Sequence, residues 1–134
     1  MTAGSHTIDA FVADDPLKEQ EGLMWVTNTD LKDDQGMLFV MENAGQQGFW
    51  MRNTLIPLDI IYIGADMKVV NIVHGKPRDE TNLPSSGPAK YVLELKDGMA
   101  SKLGIGPKTK LGISSSLAFK SDAPPSNGMN FPPQ

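Results

Sequence analysis

The stretch GFWMRNTLIPLDIIYI, residues 48–63, decides how the chain is read. Its second half, LDIIYI (58–63), is rich in β-branched and large apolar residues, the composition of a strand inside a core. Its first half, residues 49–55, is expected to form a strand as well. Trp50, Arg52 and Thr54 would then share one face, and Phe49, Met51, Asn53 and Leu55 the other. Pro57 separates the halves, because a residue without an amide hydrogen interrupts a ladder. One aromatic residue, Trp50, and four polar ones, Arg52, Asn53, Thr54 and Asp59, fall close together in this span.

Working outward, residues 64–66 (GAD) form a tight turn into residues 67–74 (MKVVNIVH), and the two strands read as a hairpin. Upstream, MLFVM (37–41) is a wholly apolar run, as in a strand buried on both faces. Residues 43–48 are expected to be a turn and residues 28–36 a loop. HTIDAFV (6–12) alternates apolar and polar residues with the period of a strand. Asp15 and Pro16 are suited to the N-cap and first position of a short helix over residues 17–21. Gly22 would end that helix with a positive φ.

Downstream, residues 75–89 carry three prolines and two glycines and read as a long loop. KYVLEL (90–95) is the next strand, with Tyr91, Leu93 and Leu95 on one face and Lys90, Val92 and Glu94 on the other. A short helix is expected over residues 99–103, a last core strand over 109–113, and an edge strand over 114–120. Residues 121–134 contain four prolines and few large apolar side chains, the composition of a disordered tail. The pattern predicts a single domain over residues 7–120, mainly β with one or two short helices. A compact small β-barrel or a folded-over antiparallel sheet would satisfy it, because both remove exposed edges.

The totals exclude several functions. A length of 134 residues suits one domain with a core of its own. A net charge of −4 and the absence of a basic run argue against nucleic-acid binding. With no cysteine there is no disulfide, thiolate metal site or cysteine nucleophile. Two histidines, His6 and His74, do not make a histidine metal cage, and His74 reads as a surface residue. Of the eight methionines, Met24, Met37, Met41 and Met51 sit among apolar residues, and the set reads as core filling rather than soft-metal ligands. No metal and no cofactor are expected. No run of about 18 apolar residues marks a membrane helix.

Taken in order, EGLM (21–24), GMLFV (36–40), FWMRNTLIPLDI (49–60) and YVLEL (91–95) with Gly98 resemble the DUF192 family, a prokaryotic domain of unknown function. The resemblance spans roughly residues 7–113 and implies a fold and a conserved hot region, not a reaction. Secretory or lipoprotein leaders on many members imply a periplasmic or secreted location, with a leader removed here and a cytoplasmic location as the alternative. The family's segment around Gly-Leu-Met is rich in arginine. Here it reads Lys18-Glu19-Gln20-Glu21, with Val26 after Met24-Trp25, so the resemblance carries no anionic ligand onto this chain.

The polar group admits three readings. In the first, Trp50, Arg52, Asn53, Thr54, Asp59 and Glu94 line a site for a small molecule or an envelope protein: the guanidinium stacks on the indole, and the amide and hydroxyl offer hydrogen bonds. In the second, Asp59 or Glu94 is the base of a hydrolase, the two able to act as paired carboxylates if they lie close, with Arg52 stabilising charge. In the third, the group is an internal tie, with Arg52 paired to Asp59 or Glu94 and Asn53-Thr54 closing a turn.

Overall fold

A computed structural model describes residues 1–113. Its strands are β1 (Thr2–Ala3), β2 (His6–Thr7), β3 (Asp9–Ala13), β4 (Gln35–Gly45), β5 (Gly48–Phe49), β6 (Leu58–Ile63), β7 (Val69–Gly75), β8 (Leu83–Pro84) and β9 (Ala89–Lys96). Helix α1 (Pro16–Glu21) lies between β3 and β4, and α2 (Met99–Lys102) follows β9.

Five strands hydrogen-bond in the order β3-β4-β9-β6-β7. All pairings are antiparallel except β3 with β4, which α1 and the loop after it connect as a parallel crossover. Two short ribbons, β1-β2 and β5-β8, stand outside this sheet.

The sheet buries both faces, which is why β6 has all six residues buried. On one face Leu38, Ile61, Ile63, Leu93 and Leu95 pack with Met1, Ile8, Met99 and Leu111. On the other, Met37, Phe39, Ile60, Tyr62 and Val92 pack with Leu23, Val26, Leu31, Met51 and Ile56. Burying one such side chain contributes about 1.5–3 kcal/mol, so two full faces supply the main stabilisation.

The fold is therefore mainly β, as expected, but the sheet does not close into a barrel: β3 and β7 remain as its two ends. Covering both faces of the five strands buries the apolar residues without barrel closure, consistent with a folded sheet. The β7 end is masked instead by the later chain, which exchanges hydrogen bonds between Val69 and the residues Lys108 and Thr109.

Local signals held at α1, where Asp15 accepts a hydrogen bond from the Lys18 amide at 2.9 Å and Pro16 takes the first position. The hairpin β6-β7 and the strand β9 also form where expected. Residues 49–55 do not form one strand. Only Gly48–Phe49 pairs, with Leu83–Pro84, and residues 50–57 make a looped connection. Residues 109–113 contribute isolated bridges, Thr2 with Gly112 and Lys68 with Lys110, in place of a core strand. At the start of the chain Met1 is fully buried and its amino group donates to the Ile8 carbonyl at 2.8 Å. The expected edge strand over 114–120 and tail over 121–134 lie outside the described residues. No helix among the described residues is long and apolar enough to cross a membrane.

Candidate functional site

The looped connection over residues 50–57 is held by main-chain atoms. The Met51 amide donates to the Asp79 carbonyl at 2.7 Å, and the Arg78 amide donates to the Thr54 carbonyl at 3.0 Å. The Trp25 amide donates to the Asn53 carbonyl at 2.8 Å, and the Asp97 amide to the Pro57 carbonyl at 3.1 Å. Three distant segments are thereby tied to one short loop. Asn53 turns it with φ of 55°, a left-handed conformation that asparagine tolerates better than most residues. Thr54 is buried, and its hydroxyl donates to the Arg52 carbonyl at 3.2 Å. Met51 is fully buried beneath Gly75, so Trp50 and Arg52 on either side of it face outward.

Beside this loop is a cleft of about 200 Å³. Trp50 and Arg52 stand at its exposed edge, with the guanidinium 5.3 Å from the centre of the indole ring. Thr54, Phe39 and Phe49 line it further in; the two phenyl rings meet edge to face at 4.9 Å. The end of α1 adds Glu19 and Glu21, and Gly22 closes that side.

Glu94 of β9 is the most buried polar group of the lining. It is 4 % exposed, lines the cleft, and has no hydrogen-bond or ion-pair partner among the described residues. Burial alone pushes its carboxyl up to about 8, so at neutral pH it is mainly a protonated acid. Tyr62 stands next to it, its hydroxyl donating to the Leu83 carbonyl; burial and the nearby Glu94 charge both raise the phenol.

Gly22 packs against Phe39 and Glu94 at the wall of the cleft. Its backbone, φ 51° and ψ −131°, lies where side chains are not accommodated. A Cβ there would sit 3.2 Å from Cζ of Phe39 and 3.8 Å from Oε1 of Glu94. Sequence reading took Gly22 as a helix stop only; its second role depends on packing across the sheet. Phe39, Glu19 and Glu21 were also not marked by any local signal.

Asp59 and Glu94 do not form a pair. Across β6 and β9, Ile60 lies opposite Glu94 and Asp59 opposite Leu95. Facing residues of a ladder share a side of the sheet, so the two carboxyls project from opposite sides. That arrangement rules out Asp59 and Glu94 acting together as a carboxylate pair. Asp59 is fully buried: one oxygen lies 2.7 Å from Nδ1 of His74, and the other accepts from the Ala100 amide at 2.9 Å. His74 is on the surface, as expected, yet its ring is engaged. Arg52 pairs with neither carboxylate, and stacks on Trp50.

Of the residues singled out from the sequence, the structure brings Trp50, Arg52, Thr54 and Glu94 to one cleft. Asn53 shapes the loop from outside that lining, and Asp59 lies on the far side of the sheet.

One group of ligand-type atoms gathers elsewhere, Asp59, His74 and Asp97, all within 4.8 Å of one another. Both Asp59 oxygens are already at hydrogen-bond distance from His74 and Ala100, so the group is a polar tie between β6, β7 and the start of α2.

A family model, DUF192, described as "Uncharacterized ACR", matches residues 1–113. A protein of unknown function from Novosphingobium aromaticivorans DSM 12444 is 42% identical, with a TM-score of 0.75 over 79% of this chain and 75% of that one. A protein from Sinorhizobium meliloti 1021, described as a "putative transcription regulator", is 33% identical, with a TM-score of 0.77 over 84% and 88% of the two chains. No curated protein matches.

Proposed function

The chain belongs to the DUF192 family, and on that premise we propose that it is a small-ligand-binding domain whose site is the cleft between residues 50–54, the end of α1 and the sheet. The cell envelope, the setting the family resemblance implies, is where we place it. The observation that carries the proposal is Glu94: a buried carboxyl without a partner costs stability, and here it opens onto a cleft lined by aromatic and polar groups. A group built only for stability would be satisfied internally, as Asp59 is.

The cleft is smaller than the roughly 300–1,000 Å³ of sites that enclose drug-sized molecules, so it suits a small molecule or one end of a larger one. Trp50 and Arg52 form its edge, where an indole face and a guanidinium select for shape and charge. The regulator description of the S. meliloti protein gains no support here, because a net charge of −4 is unfavourable for a nucleic-acid contact.

The test is a fragment screen read by amide chemical shifts on the full chain, repeated on Glu94→Gln and Trp50→Ala. Hits are expected to move the amides of Gly22, Phe49 and Thr54, and both variants to weaken them. Hits that bind elsewhere, or that bind both variants as tightly as wild type, overturn the site.

A further inference from the structure

We infer that the cleft takes a primary ammonium group, carried on a short apolar body, with Glu94 as the acceptor of its N–H bonds. This rests on the reading of the cleft as a ligand site and names the chemistry of its occupant.

Four observations on the cleft converge. Glu94 supplies buried acceptor oxygens to the lining, and nothing among the described residues donates to them. A ligand that satisfies the ionised form must bring N–H or O–H donors, which a quaternary ammonium lacks. Next, the other titratable groups of the lining besides Arg52 are acidic, Glu19 and Glu21 at the end of α1, and the group that feels the Glu94 charge is the neutral phenol of Tyr62 on β6. Arg52 is the cationic member of the lining, and it is exposed and stacked on Trp50, where water screens it. An anion would meet three carboxyl groups and one screened guanidinium.

The walls are the third observation. Phe39 and Phe49 line the cleft together with Glu94, and Phe49 also meets Tyr62 at 6.0 Å. Aromatic surface of this kind accommodates both an alkyl chain and the charge of an ammonium. Finally, a bare divalent ion fits poorly. Among the described residues the cleft holds no group of three metal-ligating side chains with donor atoms close together, whereas such a group does occur on the other side of the sheet. The organic cation uses the carboxylate and the aromatic walls together.

Binding is then a proton exchange. In the free protein burial keeps the Glu94 carboxyl largely protonated. The arriving R–NH3⁺ favours the carboxylate, the carboxyl proton leaves to solvent, and an ammonium–carboxylate contact forms in its place.

The test uses three isosteric probes, n-butylammonium, n-butanol and butyrate, titrated at pH 8 into the isotopically labelled full chain. The expected result is saturable movement of the Gly22, Phe49, Thr54 and Glu94 amides with butylammonium, at least tenfold tighter than with the other two. Glu94→Gln is expected to weaken butylammonium at least tenfold. Equal binding of butanol, or preferred binding of butyrate, overturns the ammonium inference and leaves the cleft as a ligand site. If none of the three probes moves these amides, the ammonium inference falls; the fragment screen then decides the cleft on its own, and a screen without cleft hits removes that reading too.

Discussion

Nδ1 of His74 lies 2.7 Å from Oδ1 of Asp59, while Oδ2 of the same carboxylate accepts the Ala100 amide at 2.9 Å. A fully buried acid thus links β6, β7 and the first turn of α2. Asp59→Ala leaves a buried amide without an acceptor and is expected to cost about 2–4 kcal/mol. Asp59→Asn keeps one acceptor and is expected to cost about 1–2 kcal/mol. Urea unfolding monitored by tryptophan fluorescence measures both. Because the tie is on the far side of the sheet, ligand-induced shifts at Gly22 and Thr54 are expected to survive in Asp59→Asn.

Two glycines test how tightly the sheet is covered. A Cβ on Gly36 would lie 2.4 Å from the Glu94 carbonyl oxygen, a main-chain atom of the paired strand. On Gly75 it would lie 2.4 Å from Sδ of Met51, the flexible part of a side chain. Gly36→Ala must separate β4 from β9, and a loss of about 2–3 kcal/mol or more is expected. Gly75→Ala needs only a repacked methionine, and about 1–2 kcal/mol is expected. Chemical denaturation of the two variants side by side checks the order; a larger loss for Gly75→Ala would contradict it.

Stability should also respond to the ionisation of Glu94. The folded protein holds its proton up to about pH 8, whereas the unfolded chain releases it near 4.5. Between these values the folded state binds more protons than the unfolded one, so this residue's contribution is fully present below about pH 4.5 and is lost as pH rises to about 8. The loss is on the order of a few kcal/mol. Glu94→Gln cannot ionise, and its stability relative to wild type is expected to rise steadily from pH 5 to pH 8. Urea midpoints of the pair across that range measure the difference; parallel curves would refute the assignment.

The sequence revealed the elements that local chemistry dictates. The Asp15-Pro16 cap, the alternation in residues 90–95 and the apolar run 58–63 each formed where expected. It could not reveal the course of residues 50–57, which depends on main-chain partners at Trp25, Arg78, Asp79 and Asp97. Nor could it separate Asp59 from Glu94. Alternation put Glu94 on a side with Val92, but residues 58–63 are apolar at nearly every position, so their own pattern does not say which side Asp59 takes. The cleft was half legible: its exposed edge at Trp50 and Arg52 came from composition, and its depth at Gly22, Phe39 and Phe49 came only from packing.

The atoms that tie the loop to distant segments are Met51 N, Asn53 O, Thr54 O and Pro57 O, all of them peptide atoms common to every amino acid. The course of the loop is thus specified separately from the side chains it displays at positions 50 and 52. Such a loop is a socket with exchangeable fittings: the edge of the cleft can be rewritten for a different guest while the frame beneath it stays the same.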